Sequence, residues 1–198
     1  MNKNNNSGFT LYELMITVLI VGVILTFAIP NMQDFTRNSR MTAAANDLHS
    51  AFHLARSESS RAKSNITICP SDDTLDCGGD WSDGYIVFVD EDGDLTVDDK
   101  DGDAVLRANL AFHEALSLAV ADDATYFSFA STGLGRATVN GETAVTQIVI
   151  CDERGTAIGA GGSSAARLFV VTPLGRATVV REKETIDDAL DLMGKTCP

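Results

Sequence analysis

The chain has 198 residues, 44% of them hydrophobic, which is enough for one membrane-spanning helix and one globular domain with a core of its own. The formal charge of −13 is unevenly distributed: residues 1–63 carry six Lys and Arg against four acids, whereas residues 64–198 carry nine against twenty-four. The excess of acids in residues 64–198 argues against a general phosphate-binding surface there.

A polar leader at residues 1–8 precedes an apolar run from Phe9 to Ile29. As an α-helix, this run of 21 residues would span roughly 31 Å, close to the thickness of the hydrocarbon layer of a bilayer. The run therefore predicts a helix that crosses a membrane.

Glu13 is a carboxylate inside this apolar run, where an unpaired charge is costly. No Lys or Arg occurs between Phe9 and Thr36, so the obvious cation is the amine that a cut after Gly8 would create on Phe9. Within one chain this pair would be an i,i+4 contact, and between two chains it would fix how far one helix is staggered along the next.

The segment Gly8-Phe9-Thr10-Leu11-Tyr12-Glu13-Leu14, followed by an apolar helix, resembles the class III leader and transmembrane helix of type IV pilins and type II secretion pseudopilins. The resemblance implies that a prepilin peptidase cuts after Gly8 and methylates the new amine of Phe9. It also implies that Glu13 contacts the N-terminus of a neighbouring subunit during assembly. An ordinary secretory signal fits less well, because such a signal has a basic n-region and no acid within its apolar core.

Helical periodicity continues beyond Pro30, which is expected to end or kink the membrane helix. The apolar positions recur at three- and four-residue spacing, which suits packing on a sheet. They are Met41, Ala44, Ala45, Leu48, Ala51, Phe52, Ala55 and Ala62. We predict one long helix from about Phe9 to about Lys63, with a membrane half at 9–29 and an amphipathic half at 30–63.

The amphipathic half also carries His49 and His53, four residues apart. They could share a metal ion, but the sequence offers no third ligand nearby at helical spacing. Two solvent-facing histidines are therefore the favoured interpretation.

From Asn65 onward the pattern changes to the alternation typical of strands. Strands are predicted at 65–69, 84–89, 104–107, 125–129, 145–150 and 167–171. Hairpin-length connections indicate antiparallel sheets, one of which covers the helix stripe, so the predicted fold class is α+β with a β-rich head at 64–198. A short C-terminal helix is predicted at 185–194, with Thr185 as its capping residue.

Two related segments, Ser131–Val139 and Thr172–Val179, share a Leu-Gly-Arg-Ala-Thr-Val sequence. They predict two hairpin turns with the same glycine chemistry, each leading into a strand. The glycine-rich segment Gly159–Ser164 lacks the Lys of a phosphate-binding loop and is also interpreted as a hairpin turn.

Four cysteines, Cys69, Cys77, Cys151 and Cys197, lie in the predicted head. If the head is exported, it meets an oxidising compartment, and the cysteines are expected to pair. Of three connectivities, loop closure favours Cys69 with Cys77, which leaves Cys151 with Cys197. A zinc site is the alternative, although the spacings lack a Cys-x2-Cys unit.

An acidic loop at residues 90–103 contains eight acids in fourteen residues. Asp90, Asp92 and Asp94 place oxygens at alternate positions, as Ca²⁺ coordination requires. The loop departs from an EF-hand, because Leu95 stands where the turn glycine belongs. A solvated hairpin tip is the favoured interpretation and a Ca²⁺ site is the alternative, and no other cofactor is expected.

The order of features in the head is similar to that of the GspH/FimT/FimU group of minor pilins and pseudopilins. The matching segments are Ile66–Pro70, Cys77, Trp81–Asp90, Val105–Arg107, Cys151–Gly155, Leu174–Arg176 and a last Cys. This likeness implies a long helix packed on a two-sheet head, and a low-abundance subunit of a priming complex at the tip of a fibre. The implied partners are other minor and major pilins or pseudopilins, the prepilin peptidase and an inner-membrane assembly platform. The implied location is the inner membrane with the head in the periplasm, and then the fibre.

Two functional alternatives remain from the resemblance: a type II secretion pseudopilin of the GspH type, and a DNA receptor for natural transformation. Such receptors use a Gly-Arg-x-Arg turn, and here Gly175-Arg176-Ala177-Thr178 lacks the second Arg, although Arg181 is close and Arg136 repeats the turn. The acidic head argues against DNA binding. We expect no enzymatic activity, since no local catalytic signature occurs in the sequence.

Overall fold

The computed structural model describes residues 9–98, 102–121, 124–159 and 161–197. The predicted leader at residues 1–8 lies outside them. The chain forms two compact units, the first ending at Ser39 and the second beginning at Arg40. One helix, α1 (Leu11–Ala62), contributes residues to both.

In the first unit, the large apolar side chains of α1 are exposed. By length and composition, α1 is the one helix among the described residues that could cross a membrane. Pro30 lies inside α1, which runs on to Ala62, so the predicted single long helix is confirmed and Pro30 does not end it. The loss of one backbone donor does not break a helix whose neighbouring turns remain hydrogen-bonded.

In the second unit, the predicted apolar stripe of α1 is buried from Met41 to Ala55. The prediction is wrong for Ala62, which is exposed at the last residue of the helix, and the final buried position is Ser59 instead. The Ser59 hydroxyl donates to the carbonyl of Arg56 at 2.9 Å, so this polar group is hydrogen-bonded within the helix.

Among the described residues, eleven strands follow α1. Their bounds are β1 (Asn65–Pro70), β2 (Tyr85–Asp90), β3 (Ala104–Asn109), β4 (Ser117–Val120), β5 (Phe127–Phe129), β6 (Gly135–Arg136), β7 (Thr138–Val139), β8 (Glu142–Thr143), β9 (Gln147–Cys151), β10 (Arg167–Val171) and β11 (Ala177–Val180). One sheet has the order β3-β2-β1-β5-β6, a second has the order β11-β10-β9-β4, and β7 and β8 form a separate ribbon. All pairs of named strands are antiparallel, which confirms the predicted α+β class.

The stripe of α1 contacts both sheets, and Phe52 is the residue that joins them. Its ring lies 5.2 Å from that of Phe127 in the first sheet and 4.9 Å from that of Phe169 in the second, measured between centroids. Full burial of such a side chain contributes about 2–3 kcal/mol to folding. The core of the head is therefore built around this helix rather than between the sheets alone.

The second sheet is also covered on its other face. Helix α2 (Lys183–Met193) buries Ile186 and Leu190 against Val149 and Leu168 of the sheet. This double coverage explains why β9 reads as an almost continuous apolar run.

Helix α2 begins earlier than predicted. Its N-cap is Glu182 rather than Thr185, and Lys183 forms an i,i+4 ion pair with Asp187 at 2.6 Å across the first turn. At its other end Gly194 adopts φ 62°, and its N–H donates to Asp191 O, as the terminal glycine predicts.

Candidate functional site

The N-terminal residues form a capping box at the start of α1. Glu13 Oε2 accepts hydrogen bonds from Thr10 N at 3.0 Å and Thr10 Oγ1 at 3.1 Å, and Glu13 N donates to Thr10 Oγ1 at 3.2 Å. In the unassembled chain the acid therefore satisfies the backbone donor of Thr10, and the Thr10 hydroxyl satisfies that of Glu13. The sequence analysis missed this role, although Thr10-x-x-Glu13 is the recognised signature of a capping box. Gly8 lies outside the described residues, and Phe9 is exposed.

The four cysteines form two disulfides. Cys69 pairs with Cys77, which closes the loop after β1, and Cys151 pairs with Cys197, which ties the C-terminal tail to the end of β9. This is the connectivity that loop closure favours. Because the sulfur atoms are bonded in disulfides, no thiolate is left to bind zinc, which argues against the zinc alternative.

The two histidines of α1 lie against each other. The ring centroids of His49 and His53 are 4.4 Å apart. Within the described parts of the chain, the one group of three ligating side chains able to share a metal ion is Asp90, Asp92 and Asp94. The histidine pair therefore has no third ligand among those residues.

The acidic loop begins at the end of β2. Asp90 is fully buried, whereas Asp92 and Asp94 are exposed. Burial raises the pKa of the Asp90 carboxyl above its ordinary value, because a charged group loses water contacts there. Asp99 and Asp101, which belong to the predicted acidic run, lie outside the described residues.

The two repeated glycine-arginine segments form turns, as predicted. Ala130 N donates to Leu134 O at 2.8 Å in the first, and Thr172 N donates to Arg176 O at 3.0 Å in the second. The two turns contact each other, because a Cβ added to Gly135 would lie 2.7 Å from the carbonyl oxygen of Pro173. The repeat therefore marks the place where the two sheets meet.

The three arginines that the sequence suggests for DNA binding do not form one exposed surface. They are Arg136, Arg176 and Arg181. The Arg136 guanidinium lies beside Gly93 of the acidic loop, where a Cβ at Gly93 would be 2.8 Å from Arg136 Nη1. Arg176 and Arg181 are exposed, each on a different part of the second sheet. Since Arg136 lies beside the acidic loop, this arrangement does not favour a nucleic-acid interface.

A buried arginine that the sequence analysis did not identify lies in β10. Arg167 Nη1 donates to the carbonyl oxygens of Ser164, Ala165 and Ala166 at 2.6–2.9 Å. Burial, followed by the charges of nearby arginines, lowers the pKa of Arg167 to about 10. Its guanidinium closes the turn before β10, which is a structural role.

A group of three polar side chains links α1 to the first sheet. The Tyr85 hydroxyl donates to Asp47 Oδ2 at 2.5 Å, and Arg107 forms an ion pair with the same carboxylate. Burial, together with the hydrogen bond to Asp47, raises the pKa of Tyr85. The three residues lie on separate elements, so sequence spacing could not connect them.

A capped apolar helix, an amphipathic continuation on two antiparallel sheets, and a disulfide-tethered tail define a type IV pilin-like protein. The model of the family described as "Type II transport protein GspH" matches residues 44–175, and that of the "Prokaryotic N-terminal methylation motif" matches residues 3–29. Since the first match covers about two thirds of the chain, this protein belongs to the GspH family.

Curated relatives agree with this assignment. A "Fimbrial protein" of Pseudomonas aeruginosa is 34% identical over 107 residues, which cover 52% of this chain and 67% of that protein. "Fimbrial protein EcpC" of Eikenella corrodens is 44% identical over 46 residues, 23% of this chain and 30% of that protein. A second P. aeruginosa fimbrial protein is matched over 47% of its length, so most of these likenesses concern part of the relative.

Among solved structures, the chain is similar to the type IV minor pilin FimU of P. aeruginosa. The TM-score is 0.51 with 21% sequence identity, and the match covers 74% of this chain and 92% of that chain. At this identity the likeness shows the fold alone, and it confirms the helix-on-two-sheets architecture.

Proposed function

We propose that this protein is a minor type IV pilin, a structural subunit rather than an enzyme. The match of residues 3–29 to the N-terminal methylation motif, with a single carboxylate at Glu13 inside an apolar helix, carries the proposal. Residues 9–29 anchor the chain in the inner membrane, 30–63 continue the helix, and 64–198 form a periplasmic head. The fimbrial relatives favour a pilus as the destination.

Processing prepares the chain for assembly. The prepilin peptidase cuts after Gly8 and methylates the amine of Phe9, which places a positive charge one helical turn from Glu13. In the unassembled chain Thr10 satisfies the Glu13 carboxylate. During assembly the carboxylate binds the N-terminal amine of a neighbouring subunit, because in apolar surroundings its attraction to a full positive charge is stronger than its hydrogen bonds from the uncharged donors of Thr10.

Assembly transfers the apolar helix from lipid to a bundle of other pilin helices. This transfer is tolerable because both environments are equally apolar, so the helix gains packing without losing hydrophobic burial. Staggered contacts in one direction are heterologous and propagate into a fibre instead of closing. We place the chain in the priming complex at the fibre tip, in contact with other minor and major pilins and the inner-membrane assembly platform.

Cleavage is tested by mass spectrometry of the chain isolated from its host. The native chain is expected to begin at methylated Phe9, and Gly8→Ala is expected to leave uncut precursor in the membrane. Gly22→Ala is the control, because a Cβ at Gly22 meets nothing within 4 Å. A mature N-terminus at any other residue would contradict the leader assignment.

Assembly is tested by the fraction of the chain recovered in sheared fibres. Glu13→Ala is expected to leave the head folded and the chain inserted, yet to lower incorporation at least several-fold. Asp34→Ala removes an exposed carboxylate outside the apolar run and should leave incorporation unchanged. Normal incorporation of Glu13→Ala would refute the role in subunit register.

A type II secretion pseudopilin is the second candidate, and the description of the matching family favours it. Both candidates predict the same effect of Glu13→Ala on assembly. Deletion of the gene separates them, since loss of surface fibres indicates a pilus subunit and loss of secreted proteins indicates a pseudopilin.

A further inference from the structure

We propose that Asp90, Asp92 and Asp94 form a Ca²⁺ site at the start of the acidic loop. One carboxylate oxygen from each residue lies within 4.8 Å of the other two. Oxygens bound to one Ca²⁺ at about 2.4 Å lie at most about 4.8 Å apart, so a single ion can contact all three. The proposal is independent of the role of the chain in a fibre.

The strongest indication of a bound cation is an unsatisfied buried oxygen. Asp90 has no exposed surface, and its Oδ2 accepts a hydrogen bond from Thr67 Oγ1 at 2.7 Å. Its Oδ1 is buried and has no hydrogen-bond partner. A buried carboxylate oxygen left in this state is strongly unfavourable, and a cation would remove the penalty.

Contacts of Asp103 and of the Asp94 carbonyl hold the loop in place. Asp103 Oδ1 accepts from Glu91 N at 3.0 Å and its Oδ2 accepts from Asp98 N at 3.1 Å, which ties the two ends of the loop together. Asn140 Nδ2 donates to Asp94 O at 3.2 Å, which fixes the loop to the ribbon of β7 and β8. Asp103 therefore braces the loop, and among the described residues it does not belong to the group of carboxylates close enough to share an ion.

Arg136 is the cation that competes with Ca²⁺ for this position. The Arg136 guanidinium lies beside Gly93, which stands between Asp92 and Asp94 in the chain. Arg136 Nη1 is itself buried and has no hydrogen-bond partner, so it does not pair with Asp90 Oδ1. Residues 90–94 contain four acids, so one guanidinium leaves the local charge negative.

Oxygen ligands from carboxylates and water select a hard cation. Three acids at alternate positions, two of them exposed, tolerate the long and variable bonds of Ca²⁺ better than the strict octahedron of Mg²⁺. Modules with such partly solvated sites bind Ca²⁺ with dissociation constants on the order of 10⁻⁴–10⁻³ M.

Calorimetric titration of the full chain tests the site, with the protein in detergent micelles and treated with a chelator beforehand. Titration with CaCl2 is expected to show one site with a dissociation constant on the order of 10⁻⁴–10⁻³ M, and MgCl2 is expected to bind at least ten-fold more weakly. Thermal unfolding of the head in about 5 mM Ca²⁺ is expected at a Tm a few degrees above that in chelator.

Asp92→Asn and Asp94→Asn each remove one exposed ligand, and each is expected to weaken Ca²⁺ binding at least ten-fold while the head stays folded. Asp76→Asn is the matched control, because Asp76 is an exposed acid in a different loop. This variant should bind Ca²⁺ as the native chain does. The proposal is refuted if the native chain gives no titration and no change in Tm, if Mg²⁺ binds equally well, or if the control weakens binding as much as the ligand variants.

Discussion

Gly175 packs against the ring of Phe129 so closely that a Cβ added to Gly175 would overlap the ring carbon Cε1. Phe129 lies in β5 of the first sheet, and Gly175 lies in the turn between β10 and β11 of the second. Gly175 also adopts φ 74°, a conformation that is unfavourable for any residue with a side chain. This glycine therefore serves both the turn and the contact between the sheets.

Gly175→Ala is expected to destabilise the head by about 2–4 kcal/mol, since backbone strain and steric overlap with Phe129 add. Gly162→Ala is the matched control, because Gly162 has the same φ of 74° but nothing within 4 Å of an added Cβ. In the control, the free energy of unfolding should fall by only about 1–2 kcal/mol. Urea unfolding followed by the fluorescence of buried Trp81 measures both, and equal losses would exclude the overlap as a cause.

Thr10→Ala is expected to loosen the first turn of α1, because the helix loses both the hydroxyl that caps Glu13 N and the donor that binds Glu13 Oε2. The loss of such a cap amounts to about 0.5–2 kcal/mol. Hydrogen exchange of the full chain in micelles should show faster exchange at the start of α1. Thr10→Ser keeps the hydroxyl and should exchange as the native chain does, and faster exchange in both variants would contradict the capping role.

The two disulfides are expected to differ in their contribution to stability. Cys151 and Cys197 are 46 residues apart, whereas Cys69 and Cys77 are 8 residues apart. In the chain-entropy description, the longer loop contributes about 4 kcal/mol and the shorter about 2.5 kcal/mol. Urea unfolding of the two double Cys→Ser variants measures the difference. A larger loss from the short loop would show that native contacts rather than loop entropy dominate.

The raised pKa of Tyr85 predicts a loss of stability in alkali. Folded Tyr85 keeps its proton, whereas Tyr85 of the unfolded chain loses its proton above about pH 10. The contribution of this residue to the free energy of unfolding is therefore fully present below about pH 10 and falls by about 1.4 kcal/mol per pH unit above it. Tyr85→Phe should flatten this decline and cost about 1 kcal/mol at neutral pH through the lost bond to Asp47. Tyr12→Phe, at an exposed position, should leave the profile unchanged. A slope unchanged by Tyr85→Phe would refute the assignment.

Local patterns in the sequence determined the kind of each main element. The length of the apolar run predicts the N-terminal part of α1, and the stripe from Met41 to Ala55 predicts the face that packs on the sheets. Short runs rich in β-branched and aromatic residues, bounded by turn residues, located six of the strands. Strand β4 was missed, since the four residues Ser117–Val120 are too short to show a period.

Only the tertiary structure decided which distant segments meet. The pairing of β1 with β5, the contact of Gly175 with Phe129 and the burial of Asp90 each bring together residues that are far apart in the chain. The period of a sequence records which way a side chain points along its own element, but not which remote residue it faces. The local sequence therefore determined the type of each element, whereas the contacts between elements depend on the tertiary structure.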